Sequence, residues 1–302
     1  MTIAASPALN PHLAWPALPA GELAARYDNN ADERNRRDLQ ALRERALQAH
    51  ATRSPTRHRF GVAGWAVFDL YRPPPSASRG SAPPPLLVFV HGGRWRLNTS
   101  RETAYWAEAA RAEGWALAVL NQPKLNEPEV RLSAIVDAVE HGLDAVCALA
   151  PTLEVDAGRL GLAGHSSGAH LALAATQAAV ARKAAWLRGL RRLLLVSGLY
   201  DLRPLLAAHG EADAGFTAAE AQSMSPLLQA EARPLPVPAM VAVGEQETSE
   251  FVRQSRALHW ALARGPAGAV WQPVPGAAHF DIADDFDTPA SPLRGFLREG
   301  LR

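Results

Sequence analysis

Residues 160–175 read LGLAGHSSGAHLALAA. Within them, Gly164-His165-Ser166-Ser167-Gly168 follows the pattern G-x-S-x-G. An apolar strand segment precedes it and an Ala/Leu helix follows. That context is what a nucleophilic serine at a sharp strand-to-helix turn requires. The glycines two residues to either side remove side chains that would collide in so tight a turn. Ser166 is therefore the candidate nucleophile. The plainer alternative is a helix start with Ser166 as a cap. The backbone N–H of Ser167, at a helix N-terminus, suits a developing negative charge.

Working outward, short apolar runs alternate with helical periodicity on both sides of this turn. Strands are expected at Leu86–Val90, Ala116–Leu120, Leu160–Ala163, Leu193–Val196, Met240–Val243 and Val270–Val274. Helices are expected at Arg101–Glu113, Glu129–Leu149, Gly168–Ala179, Ser249–Ala263 and Pro292–Leu301. This alternation predicts an α/β fold, a mainly parallel sheet covered by helices on both faces. Residues 59–71 (RFGVAGWAVFDLY) read as a glycine-broken strand pair. Glu22 to Ala51 reads as one helix, with Leu23, Leu39, Leu42 and Leu47 as buried points. Residues 72–85 (RPPPSASRGSAPPP) read as a surface connector. Residues 202–236 break the alternation and read as a small cap-like insertion that, with Trp95 and the N-terminal segment, roofs the site. The domain reading is an N-terminal arm and helix over 1–58 and a catalytic domain over 59–302.

The strand Leu86–Val90 runs into His91-Gly92-Gly93-Arg94-Trp95. A diglycine here lets backbone N–H groups of Gly92 and Gly93 approach an oxyanion. His91 reads as an orienting hydrogen-bonder, and Trp95 as either a pocket wall or simple packing. A serine hydroxyl needs an imidazole to take its proton and a carboxylate to hold that imidazole. Of the ten histidines, His209, His259 and His279 lie well beyond the serine. His259 falls inside a helical run and His209 in the insertion. His279 falls in PGAAHFDIADD, just after the last strand, and is the expected base. For the acid, Glu245, Glu247 and Glu250 compete after the strand at 240–243. Glu250 suits the start of a helix. Glu247 is the choice, with Asp201, after the strand at 193–196, as its rival.

The 302-residue chain is 48% hydrophobic and 20% charged, ample for a large core. Its net charge of +1 excludes the basic excess of a nucleic-acid binder. The one cysteine, Cys147, excludes an internal disulfide or a Cys-based zinc site and reads as a core residue. The first twenty residues are broken by prolines and do not read as a signal peptide, and no apolar run has membrane-spanning length. A cytoplasmic protein is expected.

Together these segments resemble the α/β-hydrolase fold, and more narrowly the kynurenine formamidase (arylformamidase) family and its bacterial esterase relatives. RYDNNADER is similar to that family's N-terminal signature, FVHGGRW to its oxyanion motif, and GHSSGAHLAL to its nucleophile turn. VSGLYDLRPL, Ser225-Pro226, VGEQETSEFVRQS and AAHFDI resemble its later segments. The resemblance places the acid on Glu247 and the base on His279. Arg94 stands where the family usually has tyrosine, and NQPKLNEPEV lacks its tyrosine-rich form. The resemblance implies hydrolysis through an acyl-serine, with N-formyl-L-kynurenine as the leading substrate. A small-acyl carboxylesterase is the alternative, and a non-catalytic binding protein a third reading. Trp95 and Tyr200 are candidates for an aromatic slot, and Arg94 or Arg203 for a carboxylate partner. No metal or organic cofactor is expected. The expected partner is a small-molecule amide or ester, with no nucleic acid and no membrane; a homodimer is compatible with this reading.

Overall fold

A computed structural model describes residues 10–74 and 82–302. The start of the arm and the middle of the proline-rich connector lie outside the described residues. Eight strands form one sheet: β1 (Thr56–Arg59), β2 (Val67–Tyr71), β3 (Pro85–Val90), β4 (Ala116–Leu120), β5 (Asp156–His165), β6 (Leu190–Val196), β7 (Ala239–Gly244) and β8 (Ala269–Val274). Their order is β1-β2-β4-β3-β5-β6-β7-β8. The β1–β2 and β2–β4 pairs are antiparallel, and all later pairs are parallel. The Arg57 guanidinium on β1 pins the hairpin through Asp69 on β2, at 2.8 and 2.9 Å.

The helices are α1 (Ala20–Ala25), α2 (Glu33–Arg53), α3 (Ala107–Glu113), α4 (Leu132–Leu149), α5 (Ser167–Arg182), α6 (Arg203–Ala214), α7 (Ala218–Ser223), α8 (Pro226–Gln229), α9 (Ser249–Ala263), α10 (Ile282–Asp285) and α11 (Pro292–Leu301). Strand β3 shows why the sheet is covered on both sides. Its Leu86, Val88 and Val90 belong to one core with residues of α4, α5 and α9. Its Leu87 and Phe89 belong to the other, with residues of α2, α3 and α11. All six β3 residues are buried. Each large apolar side chain so placed contributes about 1.5–3 kcal/mol by leaving water.

Two expected helices are broken. The Glu22–Ala51 run divides into α1 and α2, because Tyr27-Asp28-Asn29-Asn30 is turn-forming sequence. Asp32 then caps α2, accepting from Asn35 N at 2.7 Å. Leu23 and Leu42 are buried, whereas Leu39 and Leu47 are half-buried. The Arg101–Glu113 run divides into a 3-10 turn at Ser100–Thr103 and α3. Ala104, Tyr105 and Trp106 are all buried. Three consecutive residues cannot share one face of a 3.6-residue helix, so the chain abandons the helix to bury them. Residues 202–236 hold α6, α7 and α8, with a non-helical Gly210 inside α6. Among the described residues, no helix is long and apolar enough to cross a membrane.

Candidate active site

Strand β5 ends at His165 and α5 begins at Ser167, so Ser166 carries the whole reversal at φ 57° and ψ −128°. A non-glycine residue held there is strained by about 1–3 kcal/mol. The flanking glycines make the turn possible. A β-carbon at Gly164 would sit 2.3 Å from Gly168 O, and one at Gly168 would sit 2.1 Å from Val90 O. Ser166 N is held by Val196 O of the neighbouring strand at 2.9 Å.

The turn presents Ser166 Oγ 3.0 Å from His279 Nε2. His279 Nδ1–H donates to Glu247 Oε2 at 2.7 Å. Glu247 Oε1 in turn accepts from Ser197 Oγ at 2.5 Å and from Gly244 N at 2.8 Å. The structure thus brings together Ser166 from the β5–α5 turn, Glu247 from the loop after β7 and His279 from the loop after β8. All three are buried. The His279 ring is packed between Phe251 and Phe280, at centroid distances of 4.6 and 4.9 Å. Asp201 is engaged elsewhere: its carboxylate accepts both guanidinium N–H bonds of Arg203, at 2.9 and 2.8 Å. Glu245 is exposed. Glu250 is buried on α9, where it accepts from Tyr27 Oη at 3.0 Å and pairs with Arg253 at 2.7 Å. Burial beside Glu250 raises the Tyr27 phenol far above its ordinary range.

The Gly92-Gly93 loop lies against the same serine. A β-carbon on Gly92 would fall 2.9 Å from Ser166 Cβ and 2.7 Å from His165 O. Among the described residues, the N–H groups of Gly92, Gly93 and Ser167 meet no acceptor, so they remain open to an oxyanion. The buried His91 ring places Nδ1 2.9 Å from Gly92 O, within that loop, and burial pushes the ring's pKa down to about 4.

Ser166, His279, Gly92 and Gly93 open into a pocket of about 250 Å³. Tyr27, Phe251, Phe280, Leu199 and Leu205 supply aromatic and aliphatic walls, while Asp28, Asn29, Arg94 and Asn98 are among its polar lining. Arg43 and Glu102 also line it and pair with each other. Of the residues expected to meet substrate, only Arg94 lines the pocket. Trp95 is buried in packing against His170 and Phe216, with its indole N–H donating to His170 Nδ1 at 3.2 Å. Tyr200 is fully buried, and its backbone N–H is tied to Gln254 Oε1 at 2.7 Å. Arg203 is neutralised by Asp201. The aromatic wall comes instead from Tyr27, Phe251 and Phe280. The roof is chiefly the α1–α2 turn and α2; the 202–236 segment lends only Leu205 to the pocket lining.

Two side chains carry more than their sequence positions suggested. Ser197 follows β6 directly and secures the carboxylate. His165 accepts from Tyr105 Oη at 3.2 Å through Nδ1, and its Nε2–H donates to the His279 carbonyl at 2.8 Å. Burial, together with neighbouring His279, pushes its pKa down to about 3, so this ring stays neutral. Among the described residues, no group of three or more His, Cys, Asp or Glu side chains could hold a metal ion.

A BD-FAE sequence profile matches residues 68–186. Kynurenine formamidase of Danio rerio is 26% identical over 295 residues, covering 89% of this chain and 92% of that protein. Kynurenine formamidase of Drosophila melanogaster is 28% identical over 222 residues, covering 71% and 72%. A solved Silicibacter protein described as a candidate thioesterase superposes with TM-score 0.75 at 27% identity, covering 90% of this chain and 97% of its own. A thermophilic carboxylesterase cloned from a metagenomic library superposes with TM-score 0.70 at 17% identity, covering 88% and 97%.

Proposed function

We propose that this chain, a serine hydrolase of the α/β-hydrolase fold, is an arylformamidase that hydrolyses N-formyl-L-kynurenine to formate and L-kynurenine. The observation that carries the reading is the continuous chain Ser166–His279–Glu247 opening into a small pocket with an aromatic wall. Its volume of about 250 Å³ lies just below the usual range of about 300–1,000 Å³ for small-molecule sites, which suits a compact substrate. The kynurenine formamidase relatives support the same choice.

In this mechanism Ser166 Oγ attacks the formyl carbon while His279 Nε2 takes its proton. Glu247 holds the Nδ1–H tautomer and stabilises the imidazolium, without itself taking the proton. The oxyanion is met by the N–H groups of Gly92, Gly93 and Ser167, donors already aimed at the site before charge develops. His279 returns the proton to the leaving aniline nitrogen. Water, deprotonated by the same imidazole, then cleaves the formyl-serine and releases formate. The formyl group carries a single hydrogen beyond its carbonyl, so the acyl side needs almost no room. A cytoplasmic location belongs to this reading, since a single cysteine leaves no internal disulfide that would need an oxidising compartment.

The second reading is a small-acyl carboxylesterase, favoured by the leucine lining at Leu199 and Leu205. A substrate panel separates the two. An arylformamidase shows kcat/KM falling from formyl to acetyl to butyryl acyl groups. Butyryl esters cleaved faster than formyl anilides would select the esterase. A Ser166 that resists a fluorophosphonate probe would overturn both.

A further inference from the structure

Four charged side chains line the pocket, and they are treated differently. Arg43 and Glu102 neutralise each other. Arg94 and Asp28 do not. Arg94 stands on the oxyanion loop, and its guanidinium reaches only the neutral-ring acceptor His209 Nε2, at 3.5 Å. Asp28 stands on the turn between α1 and α2; one carboxylate oxygen accepts from Asn30 N at 2.9 Å. Neither has an oppositely charged partner within 4 Å among the described residues. The next residue in the turn, Asn29, is 6% exposed and its Oδ1 has no hydrogen-bond partner.

Both side chains are exposed at the pocket wall and each stands without a charged partner, so each is free to meet a ligand group of opposite sign. A ligand bearing both signs pairs with both at once. An anion alone would answer Arg94 and face Asp28 with a like charge; a cation alone would do the reverse. We infer that Asp28 and Arg94 are a specificity-determining pair that reads the α-ammonium and α-carboxylate of an amino-acid substrate. The Arg94 fork takes the carboxylate through charge-assisted hydrogen bonds. Asp28 takes the ammonium. This inference rests on the arylformamidase reading and assigns recognition to the leaving-group side, because a formyl group offers no handle.

The test compares three formanilides: N-formylkynurenine, its α-carboxamide and its des-amino analogue, with 4-nitrophenyl acetate as a neutral control. The wild type prefers the zwitterion over each analogue by about tenfold in kcat/KM, the usual scale of a charge-assisted contact. Arg94→Gln erases the preference over the carboxamide and keeps the preference over the des-amino compound. Asp28→Asn does the opposite, and Arg94→Lys restores part of what Arg94→Gln loses. Ratios that do not move, or that fall together in both variants, overturn the charge-reading pair while leaving arylformamidase activity standing. Acetate ester cleaved with none of the formanilides cleaved overturns the arylformamidase reading, and this inference with it.

Discussion

Ser166 and Ser197 sit at φ 57° and 53°, immediately after His165 and Val196, which are paired across β5 and β6. Two neighbouring strands therefore end in register, and the next residue of each turns left-handed. One hydroxyl points to the base and the other to the acid. Their substitutions should differ in scale. Ser166→Ala removes the attacking atom, and kcat should fall by about 10⁴ to 10⁶ with loss of phosphonate labelling. Ser197→Ala removes one of two hydrogen bonds to Glu247 Oε1 and leaves that from Gly244 N. A hydrogen bond to a charged group is worth about 1.5–3 kcal/mol, so kcat should fall about ten- to a hundredfold with labelling retained. Steady-state rates on one ester measure both; equal losses would mean that Ser197 does more than orient the acid. Sequence could show Ser166, Glu247 and His279 because each lies within a few residues of a recognisable strand end. It could not show Ser197 or His165 in their roles, since those follow from how strands align and not from local spacing.

Helix α2 and the turn before it together line much of the pocket, and the turn is the part that sequence described least well. The periodicity of α2 was legible, but the turn before it, which carries Tyr27 to Asn30 into the pocket, was hidden inside one long polar helical pattern. The apolar seam of α2 is thin, with Leu42, Ala46 and Ala49 buried. Ion pairs do much of the holding: Arg34 to Asp281, Arg43 to Glu102, Arg45 to Asp284 and Asp287, and Arg53 to Glu108. Partly exposed pairs are each worth about 0–1 kcal/mol and are screened by salt, with a Debye length near 3 Å at 1 M. Raising the salt from about 0.1 M to 1 M should therefore speed amide hydrogen exchange in α2 while leaving α5, buried along most of its length, unchanged. Equal protection of α2 at both ionic strengths would assign its attachment to the apolar seam alone.

At the scale of the molecule, buried imidazoles set the acid limit. Burial, the largest cause in each case, pushes His91 and His170 down to about 4 and His165 to about 3. In the unfolded chain these rings take protons near pH 6.5. Between about pH 6.5 and 4 the unfolded state therefore binds more protons than the folded one, and stability drops as pH falls through that window. Asp287, raised to about 6 mainly by burial, works in the opposite sense between about 6 and 3.8. Burial also lowers His50, His58, His209 and His259, and raises Asp284 alongside Asp287, so lowered imidazoles outnumber raised carboxyls and the net effect is destabilising. Urea midpoints should fall steadily from pH 7 to pH 4, and His170→Asn should flatten that slope; a midpoint independent of pH would contradict the assignment. The mainly parallel pairing of β3 to β8 was legible, though not their order, because each strand is a short apolar run between helical patterns. The antiparallel β1–β2 edge was legible only as a glycine-broken pair.

The bonds that complete the pocket join distant parts of the chain. Ser166 and His279 are 113 residues apart, and Tyr27 and Glu250 are 223 apart. Synthesis proceeds from the N-terminus, so a nascent chain displays its serine long before it owns an imidazole to activate it. The α1–α2 turn likewise waits for α9 before it can close a wall. Such long-range closures come late in folding, because their loop entropy is lost before the contacts repay it. A chain that stops short of His279 is thus expected to be silent, and turnover becomes a certificate that synthesis has passed that residue and the loop has been brought home.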